Sequence, residues 1–203
     1  ATITSTDPNN SIAIEHIQCN IKKASSIKSK VSVIMTVYGK DKYLDVAINS
    51  ILNQTHTDLE LIIIDDRSPD DAWEYLQDIS EKDSRIKLLQ VDENGGTYLA
   101  KNLGLTIANG DYIAFMDSDD WTHPQRIERQ IDALKSEPGS KAVWNKYFRI
   151  DENGDIIFRG KGALRNACIS LLCKKEVFKE IGFFDSLKVG ADTEFVERIQ
   201  AYF

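Results

Sequence analysis

Cysteine and proline are scarce in this chain of 203 residues, which has three cysteines and four prolines. Cys19, Cys168 and Cys173 have neither the spacing of a metal site nor the even number of a disulfide framework. We therefore expect free, buried thiols in a reducing compartment, which favours a cytoplasmic location.

Long apolar runs and an excess of basic residues are also absent. No stretch approaches the roughly 20 apolar residues of a membrane-spanning helix, and no signal peptide is visible at the start. The formal net charge of −7 argues against nucleic acid as the main partner, because a phosphate backbone needs a basic face. With 42% hydrophobic and 28% charged residues, the composition fits one soluble globular domain.

Short apolar runs alternate with helical periodicity through the first two thirds of the chain. Such alternation predicts an α/β fold with a doubly wound, mostly parallel sheet. The predicted strands are 30–38, 58–66, 85–91 and 112–116, and the helices that follow them are centred on 43–52, 73–79, 98–108 and 127–136.

The two ends of the sequence have a different character. Residues 1–29 are polar with isoleucines at near-helical spacing, which predicts a short helix or an ordered tail. The second half predicts a mixed α+β region. It has a hairpin turn at 151–154 between strands 142–150 and 155–158, a strand at 167–173, a short helix at 174–181 and a last helix from Gly190.

Three aspartates, Asp117, Asp119 and Asp120, follow the fourth predicted strand. Ligands of open α/β sheets bind at this carboxyl edge. Carboxylates crowded there repel one another unless a cation shares the site, and oxygen-only ligands favour Mg²⁺ or Mn²⁺. The structural alternative is a solvated acidic turn in which Asp120 caps the next helix.

Five motifs occur in order along the chain. They are Val31–Tyr38, Ile62–Ser68, Asn94–Gly104, Phe115–Asp120, and the pair Gly182–Asp185 with Gly190–Asp192. Their order and spacing resemble those of the family-2 inverting glycosyltransferases of GT-A fold. The resemblance implies an enzyme that moves a sugar, with a UDP-sugar favoured, from a nucleotide diphosphate sugar to an acceptor hydroxyl.

The resemblance also implies a domain organisation and a setting. Residues 30–203 would form the GT-A catalytic domain, with the mixed half on the acceptor side and with part of the acceptor region missing after Phe203. Residues 1–29 would be an N-terminal extension. The acceptor would be a saccharide or glycolipid, in bacterial-type surface polysaccharide or glycoconjugate synthesis. The implied location is the cytoplasm or the inner face of the membrane. This location is compatible with peripheral membrane association.

Metal and base roles follow from the same resemblance. Asp119, with Asp117 in support, would hold the Mg²⁺ or Mn²⁺ that bridges the donor diphosphate, and Asp117 would lie nearer the donor ribose or sugar. Asp192 would be the general base that takes the acceptor proton, although an N-cap role at the start of a helix is its structural alternative.

Nucleotide-binding roles are implied for residues from four of the five motifs. Tyr offers a flat face for stacking, and a carboxylate can only accept hydrogen bonds, so Asp66 suits a base with a ring N–H, as in uracil, thymine or guanine. The structural alternative, a carboxylate that caps the turn after the strand, fits Asp65 better than Asp66. Lys101 and Arg126 are candidates to meet the diphosphate, although a basic residue on a helix is usually solvated. The predicted nucleotide site comprises Thr36, Tyr38, Asp66, Lys101, Asn102 and Asp117.

Three positions depart from the family's pattern. Gly39 stands where the family often has Asn, Arg67 where it often has Gly, and Ala191 where an acid usually precedes the catalytic aspartate.

Two other functions remain open from the residues alone. A haloacid-dehalogenase-like phosphatase would accept Asp117 as nucleophile and Asp119 as acid, although that family places its motif on the first strand. A nucleotide-sugar-binding module without catalysis is the other, and Ala191 is its sequence hint. A P-loop enzyme is unlike this chain, because no Gly-x-x-x-x-Gly-Lys-Ser/Thr occurs.

Overall fold

The computed structural model describes residues 3–5, 17–19, 21, 28–151, 154–158, 164, 167–187 and 189–203. The strands are β1 Ile3–Ser5, β2 Ile17–Cys19, β3 Val31–Val37, β4 Leu59–Asp65, β5 Ile86–Gln90, β6 Tyr112–Asp117, β7 Ala142–Trp144, β8 Arg149–Ile150, β9 Ile156–Ile157 and β10 Leu171–Lys174. The helices are α1 Leu44–Leu52, α2 Ala72–Lys82, α3 Thr97–Ile107, α4 Arg126–Ser136, α5 Glu176–Ile181 and α6 Ala191–Tyr202.

Six strands form the main sheet in the order β5-β4-β3-β6-β10-β7. Strands β3, β4, β5 and β6 are parallel, whereas β10 runs antiparallel to both of its neighbours. The chain moves outward from β3 to β5 and then returns to the other side of β3 as β6. Strand order therefore reverses between β3 and β6, the kind of point at which open α/β sheets bind ligands.

Helices cover both faces of this sheet. Alternate side chains of the strands point to opposite faces, so β3 gives Val33 and Met35 to one apolar cluster and Ile34 to the other. Helices α1, α2 and α4 contribute to the first cluster, and α3, α5 and α6 to the second. The predicted α/β fold with a doubly wound, mostly parallel sheet is confirmed.

Helix α3 lies unusually close to the sheet at Gly104. A Cβ atom added there would come within 2.6 Å of Ile64 Cδ1 and 3.1 Å of Ile34 Cγ2. Because those side chains are fully buried, they have no room to move aside. The glycine thus allows α3 to sit against β3 and β4, and this fixes the position of the helix start at the carboxyl edge.

The amino edge of the sheet is held by one buried acid, Glu60. Its Oε1 accepts hydrogen bonds from the Ser32 hydroxyl at 2.6 Å and from the backbone N–H of Asn109 at 2.8 Å. Its Oε2 lies 2.8 Å from Nζ of Lys30 and 3.0 Å from Nζ of Lys87. Burial alone would raise the pKa of Glu60, but these donors together lower it to about 2. The carboxylate therefore ties β3, β4, β5 and the approach to β6 together.

Two predicted elements of the second half differ from the structure. The predicted strand 167–173 begins with a 3-10 turn, Cys168–Ser170, before β10. Arg126 Nη2 donates to the Ile169 carbonyl at 2.7 Å and Gln130 Nε2 to the Ser170 carbonyl at 2.8 Å, so side chains of α4 hold this turn. The predicted strand 142–150 is likewise divided into β7 and β8.

Other predictions at the chain ends have mixed outcomes. Strands β8 and β9 pair antiparallel, as the predicted hairpin requires, although residues 152 and 153 of its turn lie outside the described residues. Ile17, expected on a helix or tail, lies in β2, which pairs antiparallel with β1. Most of residues 1–27 lie outside the described residues. None of the helices in the described part of the chain combines the length and the hydrophobicity of a membrane span.

We expect Glu60→Gln to lower the free energy of unfolding at pH 7 by about 2 kcal/mol, allowing for the partly exposed lysines. A lowered carboxyl pKa stabilises the folded state above the unfolded pKa, and this contribution is lost as the pH falls toward the folded value of about 2. The deficit of the variant should therefore shrink between about pH 5 and pH 2. Urea unfolding across that range measures it, with the exposed Glu74→Gln as control. A deficit that is constant with pH would contradict the assignment.

Candidate active site

A cleft of about 440 Å³ opens at the carboxyl edge of β3, β4 and β6, between the starts of α3 and α6. Seven of the predicted site residues meet there, although they come from five separate segments of the sequence. The lining comprises Thr36, Val37, Tyr38, Gly39, Asp41, Asp66, Thr97, Tyr98, Lys101, Asp117, Ser118, Asp119, Cys168, Ile169 and Asp192.

Negative charge dominates this lining. The described residues place five carboxylates around the cleft and one ammonium group, that of Lys101. Lys101 is almost fully buried, and its Nζ lies 3.3 Å from Oδ1 of Asp117. A diphosphate entering such a site would be repelled unless additional positive charge entered with it.

The three aspartates after β6 form a tight group. One carboxylate oxygen from each of Asp117, Asp119 and Asp120 can be chosen so that all lie within 4.8 Å of one another. Partial desolvation and the nearby charge of Asp117 raise the pKa of Asp119, although its side chain is exposed, and partial desolvation with both neighbouring carboxylates raises the pKa of the half-buried Asp120 to about 7. This uncompensated charge and the all-oxygen donor set fit a Mg²⁺ or Mn²⁺ ion.

The alternative role for Asp120 as a helix cap is wrong. Helix α4 begins at Arg126, its N-cap residue is Gln125, and no side chain caps it. Asp120 is too far upstream to contact the first turn, so the acidic group is not explained by capping.

Arg126 lies beneath the acidic group and not in the cleft. Its guanidinium donates to the Phe115 carbonyl at 3.0 Å and to the Ile169 carbonyl at 2.7 Å. Complete burial lowers its pKa to about 10, while Asp120 and Asp117 oppose this effect. The prediction that Arg126 could meet the diphosphate is therefore wrong, because the side chain turns inward from α4 to hold the end of β6 and the 3-10 turn.

Asp65 and Asp66 have separate environments at the end of β4. Asp65 accepts hydrogen bonds from the Ser68 hydroxyl and, at 2.8 Å, from Nε2 of Gln90, and so holds the turn after β4. Asp66 lines the cleft, and its two oxygens accept the backbone N–H groups of Gly95 at 3.0 Å and Gly96 at 2.9 Å. A carboxylate has about four acceptor positions, so Asp66 can still accept a further donor.

Thr36 and Tyr38 stand at the end of β3 on the same side as α3. The Thr36 hydroxyl is 2.7 Å from that of Thr97, the first residue of α3. Tyr38 follows β3 and is 61% exposed, so its ring is available as a stacking surface.

Asn102, like Arg126, is a predicted residue that does not line the cleft. Its Nδ2 donates to the Phe184 carbonyl at 2.9 Å, and its Oδ1 accepts the Phe184 N–H at 3.0 Å. Both ends of the amide are thus used to attach α3 to the loop before α6. This pairing gives Asn102 a structural role outside the lining of the cleft.

Asp192 lies in the first turn of α6, where the helix dipole favours a carboxylate. Its Oδ1 accepts a hydrogen bond from the Tyr98 hydroxyl at 2.8 Å. Tyr98 is a site residue that the sequence reasoning missed. Its position one turn before Lys101 on one helix was the available signal, because residues three apart share a helix face. Cys168 and Ile169 line the cleft from the 3-10 turn, and no sequence pattern predicted them as site residues.

Two of the three departures from the family pattern fall where the backbone is in the left-handed region. Gly39 has φ +84 and Arg67 has φ 60, both in the left-handed region. Glycine and asparagine enter this region more easily than arginine does, which explains why the alternatives at these positions are glycine and asparagine. Ala191 is fully buried at the start of α6, so an acid at that position would need a different local environment.

Comparison with known sequences identifies relatives. The model of Glycosyl transferase family 2 matches residues 32–194. Glycosyltransferase GlyG of Streptococcus pneumoniae is 30% identical over 147 residues, which cover 72% of this chain and 48% of GlyG. Putative teichuronic acid biosynthesis glycosyltransferase TuaG of Bacillus subtilis is 38% identical over 107 residues, covering 53% of this chain and 42% of TuaG. The chain thus spans about half the length of the curated relatives it matches.

Solved structures share the fold. Residues 1–349 of S. aureus TarS in complex with UDP-GlcNAc give a TM-score of 0.65 at 23% identity, covering 84% of this chain and 53% of that one. Mannosyltransferase PcManGT from Pyrobaculum calidifontis, in complex with GDP-Man and Mn²⁺, gives 0.67 at 19% identity, covering 89% and 54%. The GT-A type of fold is confirmed by these matches. With 163 consecutive residues, 32–194, matched by its model, the chain belongs to Glycosyl transferase family 2.

Proposed function

We propose that this domain carries out metal-dependent, inverting transfer of a sugar from a nucleotide diphosphate sugar to an acceptor hydroxyl, with a UDP-sugar as the favoured donor. The observation that carries the proposal is that Asp117 and Asp119 from the end of β6 and Asp192 from the start of α6 line one cleft. Inverting transfer needs two such groups, one for the leaving diphosphate and one for the acceptor proton.

The metal would be held by Asp119 with support from Asp117. Mg²⁺ or Mn²⁺ bound there would stabilise the negative charge that develops on the leaving diphosphate. Lys101, buried beside Asp117, would add a second positive charge to the same side of the cleft. The complex of PcManGT with GDP-Man and Mn²⁺ supports this pairing of nucleotide sugar and metal.

The nucleoside would bind where β3 and β4 end. Tyr38 offers an exposed ring for stacking, and Asp66 retains acceptor capacity for a base N–H. Thr36 would lie along the same wall. The complex of TarS with UDP-GlcNAc supports uridine as the favoured nucleoside.

Asp192 would act as general base. The acceptor oxygen forms a bond to the anomeric carbon while the bond from that carbon to the diphosphate oxygen breaks, and its electron pair leaves on the diphosphate. The proton of the acceptor hydroxyl passes to the Asp192 carboxylate. A helix N-terminus favours the ionised form that this step requires.

The name of one relative supports a proposal for the acceptor and the setting. We propose a saccharide or glycolipid acceptor in surface polysaccharide or glycoconjugate synthesis, as the name of TuaG supports. Free thiols at Cys168 and Cys173, both buried, accord with a reaction in the cytoplasm or at the inner face of the membrane.

The alternatives are less well supported. A haloacid-dehalogenase-like phosphatase carries its acids on the first strand, whereas here β3, β4 and β5 precede β6 in the sheet. For a binding module without catalysis, the hint from Ala191 is weakened by the full burial of that residue, because Asp192 still lines the cleft.

Asp119→Asn should weaken Mn²⁺-dependent binding of UDP by at least about tenfold, because it removes a charged metal ligand. Isothermal titration calorimetry of the intact protein, with and without Mn²⁺, measures the effect. Asp41→Asn is the matched control, since Asp41 lines the same cleft outside the acidic group. Unchanged Mn²⁺-dependent affinity in Asp119→Asn would refute the metal assignment.

A panel of nucleoside diphosphates should rank UDP above CDP by roughly 10- to 100-fold in competition for the donor site, because cytosine presents an acceptor to the acceptor-only Asp66. GDP and TDP keep a ring N–H and should fall between them. The competition is measured against a labelled UDP-sugar in the presence of Mn²⁺. A preference for CDP would overturn the role of Asp66.

Asp192→Asn should reduce transfer roughly 10²- to 10⁴-fold while donor binding and melting temperature stay near those of the wild type. Glu194→Gln is a matched control, because Glu194 shares the first turn of α6 but pairs with Arg198. The readout is nucleoside diphosphate release together with donor affinity. Equal loss of affinity and rate, or a lower melting temperature with activity intact, would mark Asp192 as structural.

A further inference from the structure

We propose that Tyr98 is a positioning residue for the general base, holding Oδ1 of Asp192 by a hydrogen bond and leaving Oδ2 to take the acceptor proton. The inference rests on the proposed function. It starts from a single contact at 2.8 Å between the second residue of α3 and the second residue of α6, which are 94 positions apart in the sequence. This hydrogen bond connects α3, on the side of the cleft proposed for the nucleotide sugar, to the proposed general base.

The polarity of the contact suits this role. A phenol is a donor to a carboxylate as long as it keeps its proton. Burial and the nearby charge of Asp192 raise the pKa of Tyr98, although the backbone of Gly190 and Asp192 opposes this. Tyr98 therefore remains a donor throughout the neutral range, and a carboxylate with one oxygen occupied keeps the other as its basic atom.

The tyrosine is itself held in place. Its ring centroid lies 5.9 Å from that of Phe184, which packs on Phe195 of α6 at 4.5 Å. Asn102 fixes the backbone of Phe184 with two hydrogen bonds. The hydroxyl donor and the carboxylate acceptor thus stand on one aromatic cluster, and relative movement between them would disturb a buried contact.

The other described ionisable groups near Asp192 do not hydrogen-bond to its carboxylate. The cleft presents Asp192 with Lys101 from α3, Cys168 from the 3-10 turn and Asp117 from β6. Lys101 is engaged by Asp117, and burial raises the pKa of the Cys168 thiol to about 12, so that it stays neutral. Among the described residues, the hydrogen bond from Tyr98 is the one that reaches the Asp192 side chain.

A structural cross-tie between α3 and α6 would use the same geometry, so the test needs a readout that mere stability would not move. Tyr98→Phe removes the hydroxyl and keeps the ring against Phe184. We expect kcat to fall roughly tenfold, the size of one hydrogen bond to a charged group. The acidic limb of the kcat profile should move up by about one pH unit, because the carboxylate loses a donor to its charged form. The KM for the donor should stay unchanged.

The assay uses the intact protein with Mn²⁺ and a panel of UDP- and GDP-sugars, and follows nucleoside diphosphate release with water as the acceptor. Tyr202→Phe, at an exposed tyrosine at the end of α6, is the matched control and should leave the pH profile unchanged. Adding Tyr98→Phe to Asp192→Asn should cost little more than Asp192→Asn alone, because both changes act through one carboxylate.

The outcomes separate this inference from the proposed function. Release with no donor of the panel would overturn the proposed function and the inference with it. A wild-type protein that is active and impaired by Asp192→Asn, but whose Tyr98→Phe variant keeps the wild-type pH profile, would overturn the role of Tyr98 alone. Losses that multiply in the double variant would do the same. A lower melting temperature with an unchanged profile would identify a structural cross-tie.

Discussion

Repulsion among carboxylates is the constraint on which the cleft depends. Five of them line it, and carboxylates crowded together repel one another unless donors or a cation share the site. The first turn of α3 and the loop before it supply most of these donors: Gly95 and Gly96 to Asp66, the Tyr98 hydroxyl to Asp192 and the Lys101 ammonium to Asp117. The start of α3 thus supplies donors to three of the carboxylates that line the cleft, and Gly104 allows the helix to lie close enough to the sheet to do so.

Two acids at opposite edges of the sheet, the buried Glu60 and the half-buried Asp120, show how the two edges differ. Glu60 at the amino edge is surrounded by donors, and its pKa falls to about 2. Asp120 at the carboxyl edge has acidic neighbours, and its pKa rises to about 7. The carboxylate at the amino edge is paired with donors within the protein and contributes stability. The carboxylates at the carboxyl edge have fewer donors and would be stabilised by a bound cation. Paired groups in the scaffold and unpaired groups at a functional site are the expected pattern.

How far the sequence predicted this structure depended on the range of the interactions. The parallel core follows from continuous apolar runs, and the acids at strand ends meet because parallel strands finish at one edge. Three features depended on partners far along the chain: Arg126 turning inward to the Ile169 carbonyl, Asn102 pairing with Phe184, and Tyr98 reaching Asp192. Residue type and spacing do not specify such partners, so the sequence placed Arg126 and Asn102 in the cleft and missed Tyr98.

The hydrogen bonds of Asp66 have a consequence for protein engineering. The carboxylate that we propose for recognition of the base also holds the glycine loop from which α3 begins. Replacing it with a donor residue, the obvious way to recode the pocket for another base, would release two backbone N–H groups at the same moment. A substitution of Asp66 would therefore change the preference for a base and the conformation of the glycine loop together. A redesigned pocket would have to recruit its new contact from another side chain and leave Asp66 in place.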